Sequence, residues 1–198
     1  MKKSRTSLVA LLAVLVVAAL AIGSRLMVWS GSDHAASAAI GGPFTLVDGD
    51  GRTVTDKDFR GKWMLIYFGY TFCPDVCPTS LSVVAGAMDK LAPAELDKLV
   101  PVFISVDPAR DTPAVMKDYA AAFHPRMVGL TGSEEQVAAV SKAYKVYAAR
   151  AKGADDSSYT VDHSSILYLV GPDGRFVSHF PHGTTADDLA AALKKTLK

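Results

Sequence analysis

Residues 62–91 read "KWMLIYFGYTFCPDVCPTSLSVVAGAMDKL". The stretch begins as a continuous apolar and aromatic run, the pattern of a strand buried on both faces. From residue 78 the periodicity changes. Leu81, Val84, Ala85, Met88 and Leu91 recur at helical spacing, which predicts an amphipathic helix. Between strand and helix stand the only two cysteines of the chain, Cys73 and Cys77, each followed by proline. A buried strand feeding a helix is the unit of an α/β protein, and chemistry in such folds gathers at the carboxyl ends of strands. Proline disfavours helix in the residue before it, so both cysteines are expected outside the helix, with Pro78 at its first position. Cys77 then lies near the helix N-terminus, where the dipole favours a thiolate by about 0.3–1 kcal/mol.

The flanking sequence extends the pattern. "PFTLVDGDGRTVT" (43–55) predicts a β-hairpin around Gly49-Asp50-Gly51. "LVPVFISVD" (99–107) is a second buried strand, and "TPAVMKDYAAAF" (112–123) a helix with Pro113 in its first turn. "MVGLTG" (127–132) is a short strand. "SEEQVAAVSKAYKVY" (133–147) is a helix opened by the capping-box pair Ser133 and Gln136. "YTVDHSSILYLVGPDGRFVSHF" (159–180) predicts two strands joined at Pro172-Asp173-Gly174, and "TTADDLAAALKKTL" (184–197) a closing helix. The order is a hairpin, then βαβαβα, then ββα. It implies an α/β sandwich around a central mixed sheet.

With 198 residues, 49% of them hydrophobic and 21% charged, the chain has the composition of a globular domain plus an extension. Its net charge of +1 is uneven. Lys2, Lys3, Arg5 and Arg25 precede residue 31, where no acid occurs, so the remainder is slightly acidic. That excludes a nucleic-acid footprint. The basic start leads into an unbroken apolar run from Leu8 to Ile22, short for a span, although Ser7 to Ser24 reaches about 18 residues. "ALA" at 19–21 is embedded in the run and "ASA" at 36–38 is distant from it. An uncleaved anchor over 1–29 is therefore favoured over a cleaved signal peptide, and no cysteine near the run suggests a lipidated one. Residues 30–42, "SGSDHAASAAIGG", read as a linker, and 43–198 as the domain. Both readings place the domain outside the cytoplasm, on the periplasmic side of the cytoplasmic membrane.

Three roles are open to Cys73 and Cys77. A disulfide between them closes a loop of about five residues and contributes only about 2 kcal/mol, little for a stability staple. The spacing suits a redox pair or two legs of a metal site. Two thiolates are half of a tetrahedral site, so the metal reading needs a third ligand. Among the five histidines, His34 falls in the linker and His124 reads as a helix cap. His179 and His182 form "HFPH", a pattern common on solvated turns. His163 stands at the head of an apolar strand after a long loop, and is either a ligand or a structural residue.

The motifs "CPDVCP" (73–78), "VDPARDTP" (106–113) and "VDHSS" (161–165), in this order and on these elements, resemble the Sco/SenC family. The resemblance covers about residues 40–198. It implies a thioredoxin-like fold and a membrane-anchored protein that binds copper, as Cu(I) and/or Cu(II), one ion per monomer, in the assembly of cytochrome c oxidase. It puts the metal ligands on Cys73, Cys77 and His163, with Cys73 and Cys77 also a redox-active pair able to form a disulfide. Acidic residues near the family's site correspond to Asp75, Asp107 and Asp111, of which Asp111, or else Thr112, caps the helix at Pro113. The implied partners are the oxidase subunit carrying the copper A site, other extracytoplasmic copper chaperones and thiol reductants. Two further readings remain: a thiol–disulfide oxidoreductase that needs no metal, and a thioredoxin-fold peroxidase. The second fits poorly, since the P-x-x-x-[TS]-x-x-C pattern meets Tyr70 and Pro74 here.

Overall fold

The computed structural model describes residues 40–151 and 159–197. The expected anchor (1–29), His34 and most of the linker lie outside the described residues. Among the described residues, no helix is long and apolar enough to cross a membrane.

The strand–turn–helix unit forms as its sequence demands. β3 (Trp63–Gly69) is buried along nearly its whole length, and α1 (Val76–Met88) follows it. A short α2 (Pro93–Leu96) leads into β4 (Leu99–Ser105), which pairs in parallel with β3 from Trp63↔Leu99 to Gly69↔Ser105. The N-terminal β1 (Thr45–Asp48) and β2 (Thr53–Thr55) pair antiparallel. Asp48 closes their turn by accepting from the backbone N–H groups of Asp50 and Arg52. α3 (Pro113–Phe123) carries Pro113 at its start and Thr112 as its N-cap. β5 (Val128–Thr131) precedes α4 (Glu134–Ala143), whose capping box joins Ser133 and Gln136 reciprocally.

Beyond α4 come β6 (Ala148–Arg150), β7 (Val161–His163), β8 (Ile166–Val170), β9 (Phe176–Pro181) and α5 (Ala186–Thr196). The main sheet has the order β2-β1-β5-β4-β3-β8-β9, with β3, β4 and β5 parallel and the other pairings antiparallel. One face buries Leu65, Tyr67 and Phe103 with residues of α1, α3 and α5. The other buries Met64, Ile66 and Phe68 with Val137 and Val140 of α4. This is the expected central mixed sheet flanked by helices, in a thioredoxin-like arrangement.

Two local expectations need correction. α1 begins at Val76, so Cys77 and Pro78 are both helical. Proline is tolerated there because first-turn N–H groups have no intrahelical acceptor, and Pro78 lacks only a donor the helix could not use. The segment expected as one strand over 159–170 is broken at Ser164-Ser165. Its first part, β7, leaves the main sheet and pairs with β6 in a two-stranded ribbon, Ala148 opposite His163. His163 therefore ends a short strand rather than opening a long one.

Candidate metal centre

The carboxyl end of β3 and the start of α1 bring the two cysteines together, and the β6–β7 ribbon brings His163 over them. One ligand atom from each of Cys73, Cys77 and His163 falls within 4.8 Å of the others, a group able to hold a metal ion. Cys77 Sγ and His163 Nε2 are 3.3 Å apart. Both thiols are free, Cys77 fully buried and Cys73 partly exposed. His163 Nδ1 lies 3.2 Å from the Ser164 carbonyl oxygen. A carbonyl can only accept, so Nδ1 carries the proton and the Nε2 lone pair faces the sulfur.

The space for this arrangement is cut by a missing side chain. A Cβ at Gly69 would stand 2.6 Å from Cys77 Sγ and 3.0 Å from Phe103 Cε2. Only glycine at the end of β3 lets the sulfur pack against the strand. The sequence contained this signal, a glycine closing a buried aromatic strand just before the cysteines, but not its meaning.

The electrostatics reverse one expectation. Cys77 is in the first turn of α1, yet burial pushes its thiol well above the ordinary range, outweighing any help from the helix end. The first-turn amide of Cys77 instead donates to the sulfur of Cys73, at 3.4 Å. Burial lowers the His163 pKa, which keeps the imidazole neutral and ready to ligate at pH 7.

His163 is held by groups of which sequence reasoning singled out only Asp107. The Tyr70 hydroxyl accepts from the Val161 N–H at 3.1 Å, tying β7 to the end of β3. The rings of Tyr67 and Tyr70 meet the imidazole edge-on, with centroids 6.2 and 5.8 Å away. Asp107 is buried and accepts from the Tyr159 hydroxyl at 2.6 Å and from Arg110. Arg110 stacks on Tyr159 and Phe72 and donates to the Tyr159 carbonyl oxygen. Asp107 thus organises the loop entering β7 and is not part of the ligand group.

Asp111 does not cap α3; Thr112 does. The Asp111 carboxylate is fully buried and accepts from the hydroxyls of Ser105 and Thr71, both at 2.6 Å. It fixes the turn that carries Cys73. Asp75 precedes α1 as its N-cap residue, and its side chain caps no backbone N–H but accepts from the Thr79 hydroxyl. His124 ends α3 and accepts from the Arg126 N–H. His179 and His182 are exposed, and neither joins a metal-ligand group among the described residues.

Burial raises the Asp111 pKa, with the bonds from Ser105 and Thr71 offsetting part of the rise. A carboxyl whose pKa is higher folded than unfolded contributes stability that is complete below the unfolded pKa. That stability is lost as pH rises through the folded pKa. Asparagine cannot ionise. Asp111→Asn should therefore gain stability relative to wild type as pH rises from about 4 towards neutrality, read from urea unfolding at several pH values. Parallel curves for the two proteins would show that Asp111 titrates normally.

The sequence model of the SCO1/SenC family matches residues 32–198. The chain belongs to this family. It is 43% identical over 161 residues to the human protein "SCO1 homolog, mitochondrial", covering 81% of this chain and 54% of that protein. The chain thus spans about half the length of that relative. Among solved structures, Bradyrhizobium japonicum ScoI with copper bound superposes with a TM-score of 0.73 at 48% identity, covering 79% of this chain and 99% of the other. BsSco, described as having a disulfide switch and as belonging to the Sco family of cytochrome c oxidase assembly proteins, matches with a TM-score of 0.63 at 26% identity. That match covers 81% of this chain and 95% of BsSco.

Proposed function

We propose that this family member binds one copper ion through Cys73, Cys77 and His163. In this reading it delivers copper to the copper A centre of cytochrome c oxidase during assembly, keeps that centre's thiols reduced, or does both. The observation that carries the reading is the convergence of two sulfurs and one imidazole nitrogen within 4.8 Å from two separate stretches of chain, the turn at 73–77 and His163. Two soft thiolates and an imidazole suit copper(I), and three ligands leave a position open. An open position lets a recipient's ligand enter before the donor's ligands leave, as transfer of a cargo ion requires. The copper-bound relative and the oxidase-assembly relative support the reading. The N-terminal apolar run would anchor the domain on the periplasmic side of the membrane.

The chain's residues have defined work in this scheme. Metal must bind Cys77 as thiolate, whereas the buried thiol is protonated at neutral pH. Copper loading therefore expels at least one proton per ion at pH 7, and affinity falls as the solution is acidified. Calorimetry in buffers of different ionisation enthalpy measures the release. Copper uptake without proton release would show that Cys77 is not a ligand.

A second reading, a thiol–disulfide oxidoreductase acting without metal delivery, is favoured by the nearness of the two free thiols and by the disulfide switch of BsSco. It needs the cysteines but not the imidazole. Metal content and thiol state of the domain purified anaerobically, together with complementation of an assembly-deficient strain, test the proposal. If His163→Ala restores oxidase activity in full, the oxidoreductase reading replaces copper delivery.

A further inference from the structure

Tyr67 lies two residues before Gly69 on β3, with its side chain in the core that receives Cys77. The residue is 1% exposed, and its hydroxyl is buried without a hydrogen-bond partner among the described residues. An unpaired buried hydroxyl is unfavourable, and phenylalanine would fill the same slot without that cost. The surroundings supply a reason for the hydroxyl. Tyr67 Cε1 and Cys77 Sγ both border the vacant Gly69 position, 3.2 and 2.6 Å from where a Cβ would stand. The ring contacts the His163 imidazole edge-on at a centroid distance of 6.2 Å. Cys77, Ser80 and Ser165 surround the hydroxyl, none of them in hydrogen-bond geometry with it. A neutral thiol is a poor acceptor, but a thiolate is a strong, charge-assisted one. The hydroxyl is thus unpaired beside the metal-free site and gains an acceptor when the Cys77 sulfur serves as a metal-bound thiolate.

We propose that the Tyr67 hydroxyl is a positioning group for the metal-bound state: it donates a hydrogen bond to the Cys77 thiolate and tunes that sulfur as a ligand. The inference rests on the copper site proposed above. A hydrogen bond to a ligating sulfur withdraws electron density from it. That stabilises copper(I) relative to copper(II) and raises the energy of the sulfur-to-copper(II) charge-transfer transition.

The test compares wild type, Tyr67→Phe and Ser141→Ala. Ser141 also has a buried hydroxyl with no partner among the described residues, on α4 at the opposite face of the sheet. In Tyr67→Phe the charge-transfer band should move to longer wavelength, the potential of the bound copper should fall, and affinity should drop about tenfold. The metal-free variant should melt at or above the wild-type temperature. Ser141→Ala should leave band, potential and affinity unchanged. A Tyr67→Phe protein with the wild-type band and potential overturns the inference while leaving the copper site standing. A wild-type protein with no thiolate-to-copper band overturns both.

Discussion

Replacing His163 with alanine should lower copper affinity by at least about a hundredfold while the domain stays folded. The magnitude follows from removing one of three ligands, since even groups behind the ligands are worth about 10–100-fold. Nothing nearby replaces it. His179 and His182 lie on and just beyond β9, and among the described residues Cys73, Cys77 and His163 are the sole group of metal-ligating side chains. The fold should survive because β7 is held by its backbone pairing with β6 and by the Tyr70 hydroxyl, neither of which uses the imidazole. The lost edge contacts with Tyr67 and Tyr70 cost about 1 kcal/mol each. Competition titration against a copper(I) chelator, with thermal melts of the metal-free proteins, reads both quantities. Unchanged affinity would remove His163 from the site.

Gly69→Ala should be nearly as damaging to copper binding, although residue 69 offers no ligand. The new Cβ would stand 2.6 Å from Cys77 Sγ, 3.0 Å from Phe103 Cε2 and 3.2 Å from Tyr67 Cε1. The approach to the sulfur is closer than real Cβ atoms come, the two aromatic contacts are tight, and those rings are locked in the core. Cys77 must therefore swing away from His163, or β3 must shift against β4. The expected results are a stability loss of about 1–3 kcal/mol from overpacking and a drop in copper affinity of more than about tenfold. Urea unfolding and the same chelator competition measure them. Wild-type affinity in a folded Gly69→Ala protein would mean that the sulfur is not confined by the strand.

The elements that position the site were legible because each rests on a local pattern. The run at 63–69, the helical spacing after Pro78 and the Ser133–Gln136 box need no knowledge of distant residues. The proline rule misplaced Cys77 because first-turn helix positions tolerate what helix interiors do not. The place of His163 at the end of a ribbon strand was hidden for another reason. The break at Ser164-Ser165 falls inside an apolar run, and only pairing with residues 148–150 pulls 161–163 out of the main sheet. The protonation of Cys77 was likewise beyond local reading, because burial is decided by the whole core while the helix end is visible in the chain. Tyr70, Arg110 and Tyr159 resemble ordinary core and turn residues in sequence, and Asp107 was marked only by the family resemblance. Their work in placing His163 exists only once β3, β4 and β7 meet.

The central claim is that one copper ion is held by two sulfurs and one imidazole nitrogen. X-ray absorption at the copper edge of the anaerobically loaded protein addresses it directly. The proposed centre predicts two sulfur neighbours and one nitrogen neighbour, with the nitrogen and its imidazole scattering lost in His163→Ala and one sulfur lost in Cys77→Ala. Copper surrounded only by nitrogen and oxygen, or the same spectrum in all three proteins, would contradict it.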